Sequence, residues 1–454
     1  MKNRFIRLCL ALLFILELSF TSKAEEAHWV VPIEWSTFDL SPLEGEFADD
    51  VRKILLNTNK YGLNKSWNEV RGYAAQTTPY LDLGGNTEHF VRPVSHEAFA
   101  IAISLKLNVY DPQYIGVSKA EAINRTTRMI NSLAYHHKVN CGSKGWGDQW
   151  QSALWAGQAA QAAWIMWEYL TPENRELISK MTIYEADRFI NYTVPYYRDL
   201  TGNVLTKGDS KAEENAWNSN ILTIATAMMP KHPHYKQWID KSIELQLSAY
   251  AAPSDTKSKQ KVNGFTLNKI LKGSNMESDG IVINHHIIHP DYMVAIMFNI
   301  TNIWNYSLAK QKSPIASLFN ADKIYYALVD LQVKDGNTMY VKTPDGKASS
   351  QMYYPQGNDW GGKRQACYWL LDIMADIFSF DNEVSIKGLE WAKERNKEML
   401  YMQGRDSSGQ YYQGKIEDRF KTREEWLAQH AAFAYLGLWM QKHKLHHLTN
   451  KKIK

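Results

Sequence analysis

A chain of 454 residues, 44% of them hydrophobic and 22% charged, has the composition of a globular protein with a large core. Its three cysteines are too few for a disulfide framework, and their spacing fits neither a zinc knuckle nor a redox pair. The formal net charge of +4 is too small to imply a nucleic-acid partner.

The N-terminal segment has the layout of a cleavable signal peptide. Basic residues precede an apolar stretch at 8–18, and a short Ser-Lys-Ala sequence ends at Ala24. We therefore predict a signal peptide at residues 1–24. Because no Pro-, Gly- or Ser-rich linker divides the rest, we predict a single domain at residues 25–454. The leader's four basic residues less Glu17 amount to +3 of the total of +4, so the mature chain carries about +1.

The leader's apolar stretch is too short to cross a bilayer core of roughly 30 Å, and no later segment is long and apolar enough. We therefore expect a periplasmic or secreted protein without a membrane span. Cys9 would leave with the leader, so a lipid anchor is not expected. The remaining cysteines, Cys141 and Cys367, are expected either to pair with each other or to be buried.

Apolar residues recur at helical spacing along the chain, and strand-like alternation is scarce outside 338–342. The clearest helical segments are 97–107, 149–170, 220–229, 235–251, 292–304, 363–378 and 424–442. We predict an all-α fold, an (α/α) toroid or barrel of six or seven antiparallel helical hairpins.

Several of the most apolar helices are introduced by a block rich in Trp, Tyr, His, Asn, Asp and Arg. These polar blocks are residues 90–96, 145–150, 213–218, 284–292 and 353–364. If the hairpins close into a ring, the N-terminal ends of the inner helices gather at one mouth, which favours an anionic substrate. The alternative is that the blocks are only helix caps.

The aromatic content points to carbohydrate. Sixteen Trp and twenty-five Tyr residues are a heavy load, and exposed rings beside polar groups suit the C–H faces and hydroxyls of a sugar. Most of these rings are expected in the core. The candidates for a cleft are Trp146, Trp150, Trp217 and Trp360.

The segment 277–292 concentrates titratable groups, and metal binding is the first chemistry that it could support. His285, His286, His289 and Asp291 are eligible ligands. The proline after His289 disfavours the helical spacing that would align two of these histidines. We therefore predict no metal ligand and no cofactor.

Glycoside hydrolysis by paired carboxylates is the second chemistry. One carboxyl would act as an acid, and the other would activate water or attack the sugar. The available carboxylates are Glu277, Asp279, Asp148 and Asp359. This mechanism leaves the histidines without a role.

Elimination from a uronic-acid polysaccharide is the third chemistry, and it uses more of the residues. It needs a base for the proton beside the sugar carboxylate, an acid for the leaving oxygen, and donors that neutralise the carboxylate. His285 suits the base and Tyr292 the acid. Asn215 or Asn218, together with Arg364, suits the carboxylate.

These residues form a pattern that resembles a known family. Asp279-Gly280 followed by His285 and Tyr292, with Asn215 beside Trp217 earlier in the chain, resembles the Asn, His and Tyr arrangement of the hyaluronate, chondroitin AC and xanthan lyases. Here the tyrosine lies closer to the histidine, and the chain is too short for the β-sandwich domains of those enzymes. A helical toroid with a signal peptide looks more like polysaccharide lyase family 38, whose members act on alginate (polymannuronate) and glucuronan.

The resemblance implies roles for several residues. His285 would be the base or a charge-neutralising partner, and Asn215 or Asn218 would neutralise the substrate carboxylate. Glu277 would share a proton with that carboxylate or orient His285. The tyrosine would be Tyr292, or one from the last polar block. That block begins with Tyr353 and Tyr354.

We therefore expect a lyase acting on an acidic polysaccharide. The residues expected to bind this substrate are Arg92, His96, Trp150, Trp217, His286, Tyr353 and Trp360. Two alternatives stay open, namely an (α/α)-toroid glycoside hydrolase with paired carboxylates and a glycan-binding protein without catalysis.

Overall fold

The computed structural model describes residues 26–361, 364–414, 417–418 and 423–448. The predicted signal peptide at 1–24 and the first residue of the predicted helix 363–378 lie outside the described residues.

The described part of the chain is mostly helical, as predicted. Its α-helices of nine residues or more are α1 (Glu46–Tyr61), α2 (Val91–Lys106), α3 (Lys119–Tyr135), α4 (Ser152–Ile165), α5 (Pro172–Asp187), α6 (Ala212–Met228), α7 (Tyr235–Ala249), α8 (Met297–Leu308), α9 (Ala321–Val329), α10 (Gln365–Phe378), α11 (Gly388–Gly404) and α12 (Arg423–Lys442). One-turn α-helices span Pro112–Ile115, Lys138–Cys141, Leu267–Ile270 and Pro290–Met293, and a π-helix, Gly62–Val70, continues α1. Short 3₁₀ turns span Ala27–Trp29, Trp35–Thr37, Tyr73–Ala75, Trp167–Tyr169, Asp255–Lys257, Val294–Ile296 and Ile315–Leu318.

The strands are two residues long and pair antiparallel. They are β1 (Arg198–Asp199), β2 (Lys261–Val262), β3 (Phe265–Thr266), β4 (Gly273–Ser274), β5 (Ile283–Asn284) and β6 (Ile287–Ile288), and the pairs are β1 with β4, β2 with β3 and β5 with β6. The alternating segment 338–342 contains only an isolated bridge, from Tyr340 to Met352.

The even-numbered helices contact one another in series. α2 packs on α4, α4 on α6, α6 on α8, α8 on α10 and α10 on α12, and α12 packs on α2. We call these six the inner helices. Of the odd-numbered helices, α1, α3, α5, α7 and α11 each pack against one or two of them. One hydrophobic core, from Val30 to Met440, runs through the inner helices.

The composition of the inner helices explains why they are enclosed. All residues of α4 and α8 are buried, and a helix that is mostly apolar on every side must be surrounded by other elements. Small residues let α4 and α6 approach closely. At Gly157 of α4 an added Cβ would lie 3.3 Å from the backbone nitrogen of Ile221.

A chain of amide side chains crosses the space between the inner helices. Gln429 of α12 donates to Gln158 of α4 (2.5 Å), Gln158 donates to Gln161 (2.9 Å), and Gln161 donates to Asn305 of α8 (2.7 Å). Each amide in the chain donates a hydrogen bond to the next one, so these buried polar groups have partners. This amide chain therefore links three inner helices, α12, α4 and α8.

The structure tests the predictions for the cysteines and for a membrane span. Cys141 is exposed and Cys367 is partly exposed, and both thiols are free. The prediction that they pair or are buried is wrong, because Cys141 lies in a short surface helix. None of the helices in the described residues has the length and apolarity needed to cross a membrane.

Candidate active site

A cavity of about 340 Å³ lies at the N-terminal ends of the inner helices. Each polar block contributes to its wall, as the sequence predicts. The contributions are Arg92 from 90–96, Trp150 from 145–150, Glu213 and Trp217 from 213–218, His285, Asp291 and Tyr292 from 284–292, and Trp360 and Arg364 from 353–364. The N-terminal part of α12 adds Arg423, Trp426, Leu427 and His430.

The polar blocks do more than cap these helices. The N-cap residues of α2, α4, α6 and α10 are Phe90, Gln151, Lys211 and Arg364, and none of these four makes a side-chain capping bond. The partial positive charge of several helix N-termini is therefore directed at the cavity.

His285 stands in the two-residue turn between β5 and β6. The φ angles of His285 and His286 are 49° and 66°, and positive φ at both positions is what a type I′ hairpin turn requires. Non-glycine residues in this region cost of order 1 kcal/mol or more each, and such strain often marks a functional site. The turn is held by the preceding loop, since His286 N donates to Gly208 O at 2.9 Å and Ser210 N to Ile283 O at 3.0 Å.

Hydrogen bonds join a tyrosine, two histidines and an aspartate at the rim of the cavity. Tyr292 Oη lies 3.0 Å from His285 Nε2, and His285 Nδ1 lies 2.5 Å from Asp359 Oδ2. The other oxygen of Asp359 lies 3.1 Å from Nε2 of His289, which is fully buried. We call Tyr292, His285 and Asp359 the relay.

The charge of Asp359 determines which atoms of the relay carry protons. Burial raises the pKa of Asp359, but hydrogen bonds from His285 and His289 outweigh this, and the net shift is downward. An ionised Asp359 accepts the Nδ1–H of His285, which leaves the lone pair of Nε2 for the Tyr292 hydroxyl. Burial raises the pKa of Tyr292, so the tyrosine retains its proton at neutral pH.

Arg364 is fixed behind the relay by two carboxylates. Its Nη1 donates to Asp291 at 2.9 Å and its Nε to Asp418 at 3.2 Å. Asp291 is held in turn by the hydroxyls of Tyr368 (2.6 Å) and Tyr354 (3.1 Å). The guanidinium is buried, and its orientation is therefore set before any ligand arrives.

Arg92 supplies a second cation. Its Nη1 donates to Gln151 Oε1 at 2.6 Å, and the guanidinium lies 5.1 Å from the centre of the Trp426 ring. Burial lowers the pKa of Arg92 to about 10, which still leaves it charged at neutral pH. Arg423, paired with Asp418 at 2.7 Å, is the third arginine in the wall.

Glu213 is a site residue that sequence reasoning missed. It lies in the first turn of α6 and lines the cavity, and its weak contacts with Asn284 Nδ2 measure 3.4 and 3.5 Å. Burial raises the pKa of Glu213 well above its usual value, which favours the protonated carboxylic acid. A carboxyl of this kind donates a hydrogen bond to an anion.

Seven of the residues predicted for the site line the cavity and seven do not. Those in the wall are Arg92, Trp150, Trp217, His285, Tyr292, Trp360 and Arg364. Those outside it are His96, Asn215, Asn218, Glu277, His286, Tyr353 and Tyr354.

The asparagines predicted to bind the carboxylate are buried elsewhere. Asn215 donates to Pro195 O (3.0 Å) and Ser248 Oγ (3.1 Å), which are structural partners. Asn218 is 2% exposed and does not line the cavity. The two asparagines follow Glu213 at spacings that turn them away from its face of α6.

The other displaced candidates are also bonded to neighbouring side chains. Glu277 is paired with Arg198 at 2.6 Å, and Tyr353 donates to Asp335. The hydroxyl of Tyr354 donates to Asp291.

Three displaced aromatic residues are explained by local packing. An added Cβ at Gly208 would lie 2.1 Å from Nδ1 of His286, so that ring lies on the loop and not in the cavity. His96 is buried against Trp426. The prediction of Trp146 as a cleft residue is wrong, because it is fully buried and donates to Leu133 O.

One group in the described residues could hold a divalent cation. The donor atoms of His285, His289 and Asp359 lie within 4.8 Å of one another. Both oxygens of Asp359 already accept from imidazole nitrogens, so a cation would have to displace two hydrogen bonds. We interpret the group as part of the relay, and the absence of a metal ligand stays a prediction.

Comparison with known proteins adds no relative. The chain matches no protein-family model, and neither the curated proteins nor the solved structures give a significant match.

Proposed function

We propose that this protein is a polysaccharide lyase that cleaves a uronic-acid-containing polysaccharide, alginate (polymannuronate) or glucuronan, by β-elimination. The observation that carries the proposal is the 3.0 Å contact between Tyr292 Oη and His285 Nε2 in a cavity lined by three arginines. Elimination beside a carboxylate needs an acid and a base at one position and cationic donors for the carboxylate.

Two side chains, His285 and Tyr292, carry out the proton transfers of the proposed reaction. When the sugar enters, it replaces the Tyr292–His285 hydrogen bond with one contact to each group. His285 Nε2 then takes the proton from the carbon beside the carboxylate, and the electron pair forms a carbon–carbon double bond as the glycosidic C–O bond breaks. Tyr292 donates its proton to the departing oxygen. The proton on His285 returns to the tyrosinate across 3.0 Å, which restores both groups.

Arg364 and Glu213 are the proposed partners of the substrate carboxylate. Both line the same cavity as Tyr292, the proposed acid. A fixed guanidinium and a neutral carboxylic acid stabilise the negative charge that develops on the carboxylate. An oriented donor of this kind contributes about 3 kcal/mol. Glu213 thus takes the role that the sequence assigned to Asn215 or Asn218.

Hydrolysis by paired carboxylates has less support. The four carboxylates available from the sequence, Glu277, Asp279, Asp148 and Asp359, all lie outside the wall of the cavity. Of the carboxyls in the wall, Asp291 holds Arg364 in place. A binding protein without catalysis would need the arginines and aromatic rings but not the relay.

The proposal also covers the fold of the protein and its cellular location. The contacts of the inner helices in series, with α12 returning to α2, support an (α/α) toroid with its mouth at the cavity. The leader at 1–24 supports export to the periplasm or beyond.

Absorbance at about 232 nm tests the proposal, because elimination creates a conjugated double bond and hydrolysis does not. We expect absorbance to rise with polymannuronate or glucuronan and to stay flat with neutral glycans. Reducing sugar from the acidic polymers without absorbance would establish hydrolysis instead.

A matched pair of histidine variants tests the relay. His285→Ala should abolish turnover and retain much of the substrate binding. His234→Ala is the control, because His234 is another partly exposed histidine bonded to an aspartate, with Nδ1 2.8 Å from Asp187 Oδ1, and it does not line the cavity. Equal rates in the two variants would remove His285 from the mechanism.

A further inference from the structure

The cavity has an aromatic wall that leads from the surface into the core. Trp150, at 58% exposed, meets Trp217 with ring centres 5.1 Å apart. Trp217 meets Phe298 at 6.4 Å, and Phe298 meets Trp426 at 5.7 Å. Trp426 stacks on His430, which is 5% exposed. Sugars bind aromatic faces through their C–H groups, so this wall suits sugar rings placed one behind another.

Three apolar side chains of the cavity wall belong to the buried core. Leu427, Met297 and Val294 line the cavity and are each at most 4% exposed. The amide chain crosses the molecule from Gln429, the residue next to His430. The residues of this amide chain are each at most 5% exposed, and we infer from them that a polymer does not pass between the inner helices.

Buried donors in the wall point to a ligand. Within the described residues, Trp217 Nε1, Trp426 Nε1 and Arg364 Nη2 are buried without a hydrogen-bond partner, as are both ring nitrogens of His430. Indole and guanidinium N–H groups can only donate, and a buried donor left unpaired is costly. Acceptor oxygens, such as those of a carboxylated sugar, would satisfy these donors. Burial lowers the pKa of His430 to about 3, so its neutral ring can also accept from a hydroxyl.

We propose that the cavity receives one end of the acidic polysaccharide and that the enzyme shortens its substrate from that end. The terminal sugar lies against Trp426 and His430, and the relay acts on the glycosidic bond nearer the rim. A volume of about 340 Å³ has space for roughly one or two sugar rings. This inference rests on the proposed lyase function and adds the part of the polymer on which that function acts.

Simultaneous measurement of absorbance and viscosity during digestion of polymannuronate and glucuronan tests the inference. We expect absorbance at about 232 nm to rise while viscosity stays nearly constant, with products of one or two sugars from the earliest samples. An early fall in viscosity with a ladder of long products would overturn the chain-end inference and leave the lyase function standing. No absorbance from any acidic polymer would refute the lyase function itself.

A second experiment tests the inner end of the cavity. Trp426→Phe retains an aromatic ring and removes the indole N–H, and we expect about a tenfold rise in KM for short oligosaccharides with a much smaller change in kcat. Trp35→Phe, outside the cavity, is the matched control, and thermal melting of both variants checks their folding. An unchanged KM in a folded Trp426→Phe protein would show that the terminal sugar does not reach this residue.

Discussion

Asp359→Asn is the sharpest test of the relay, because Asp359 does not line the cavity and acts only through its neighbours. The carboxylate accepts from His285 Nδ1 at 2.5 Å and from His289 Nε2 at 3.1 Å. An amide in its place can direct an N–H group at His285 Nδ1. The imidazole then carries its proton on Nε2, where it can accept neither from Tyr292 nor from the substrate.

The expected loss follows from the removal of a general base. Acid–base catalysis contributes roughly 10² to 10⁴-fold, which corresponds to about 3 to 5 kcal/mol of activation free energy. We expect kcat to fall by this factor and KM to change little, since Asp359 is a positioning residue. The pH profile of kcat should also lose the limb that reports the base.

The assay is the initial rate of absorbance increase over a range of substrate concentrations and pH values. Asp187→Asn is the matched control, because Asp187 accepts from His234 Nδ1 (2.8 Å) and Trp238 Nε1 (2.9 Å) and does not line the cavity. If Asp359→Asn raises KM but leaves kcat within a few-fold of the wild type, the carboxylate does not orient His285. A comparable loss of kcat in Asp187→Asn would show that the effect is one of general stability.

Three further predictions test the site from other directions. Glu213 keeps its proton in the folded state at pH values where the unfolded chain, with a usual pKa of 4.5, has lost it. The stability that this residue confers therefore falls as pH rises above 4.5. The unfolding free energies of Glu213→Gln and the wild type, measured in urea, should differ increasingly in the variant's favour towards neutral pH. A pH-independent difference would contradict a raised pKa for Glu213. EDTA should leave turnover unchanged, since hydrogen bonds explain the cluster of His285, His289 and Asp359, and a loss that zinc restores would make the cluster a metal site. Gly208→Ala should lower stability by about 1 to 3 kcal/mol and reduce turnover, because the new Cβ would lie 2.1 Å from the His286 ring at a φ of +70°; an unaltered melting temperature would show that the loop does not fix the hairpin.

The sequence predicts the meeting of the polar blocks on the condition that the helical hairpins close into a ring. It does not predict which side of a helix faces the cavity. Glu213 and Trp217 are four residues apart and share one face of α6, whereas Asn215, between them, points to Pro195 and Ser248. The motif around Asn215 therefore marks the turn of α6 that lines the cavity, although Asn215 itself does not line it.

Two other parts of the site depend on contacts that local pattern does not encode. Asp359 reaches His285 across 74 positions of sequence, and it lies in the irregular segment 330–361 after α9, which has no periodicity to orient it. On α12, Arg423, Trp426 and His430 recur at spacings of three and four residues, which place them on one face. That spacing was a usable signal, but it lies within an apolar helix with no polar block before it, where aromatic residues more often belong to the core.

The sequence of the β5–β6 turn, which includes His285, departs from the residue preference of two-residue hairpin turns. A two-residue turn with positive φ at both positions favours Asn-Gly or Gly-Gly, yet the chain has two histidines there, at φ 49° and 66°. Asn284 Oδ1 accepts from the His285 backbone N–H at 2.8 Å, and the loop before α6 binds the other side of the turn. The surrounding structure thus enforces a conformation that the turn residues would not choose, and it holds one imidazole between Asp359 and Tyr292. The strain is shared by His286, which lies outside the cavity, so His285 is distinguished from its neighbour by its bonds to Asp359 and Tyr292.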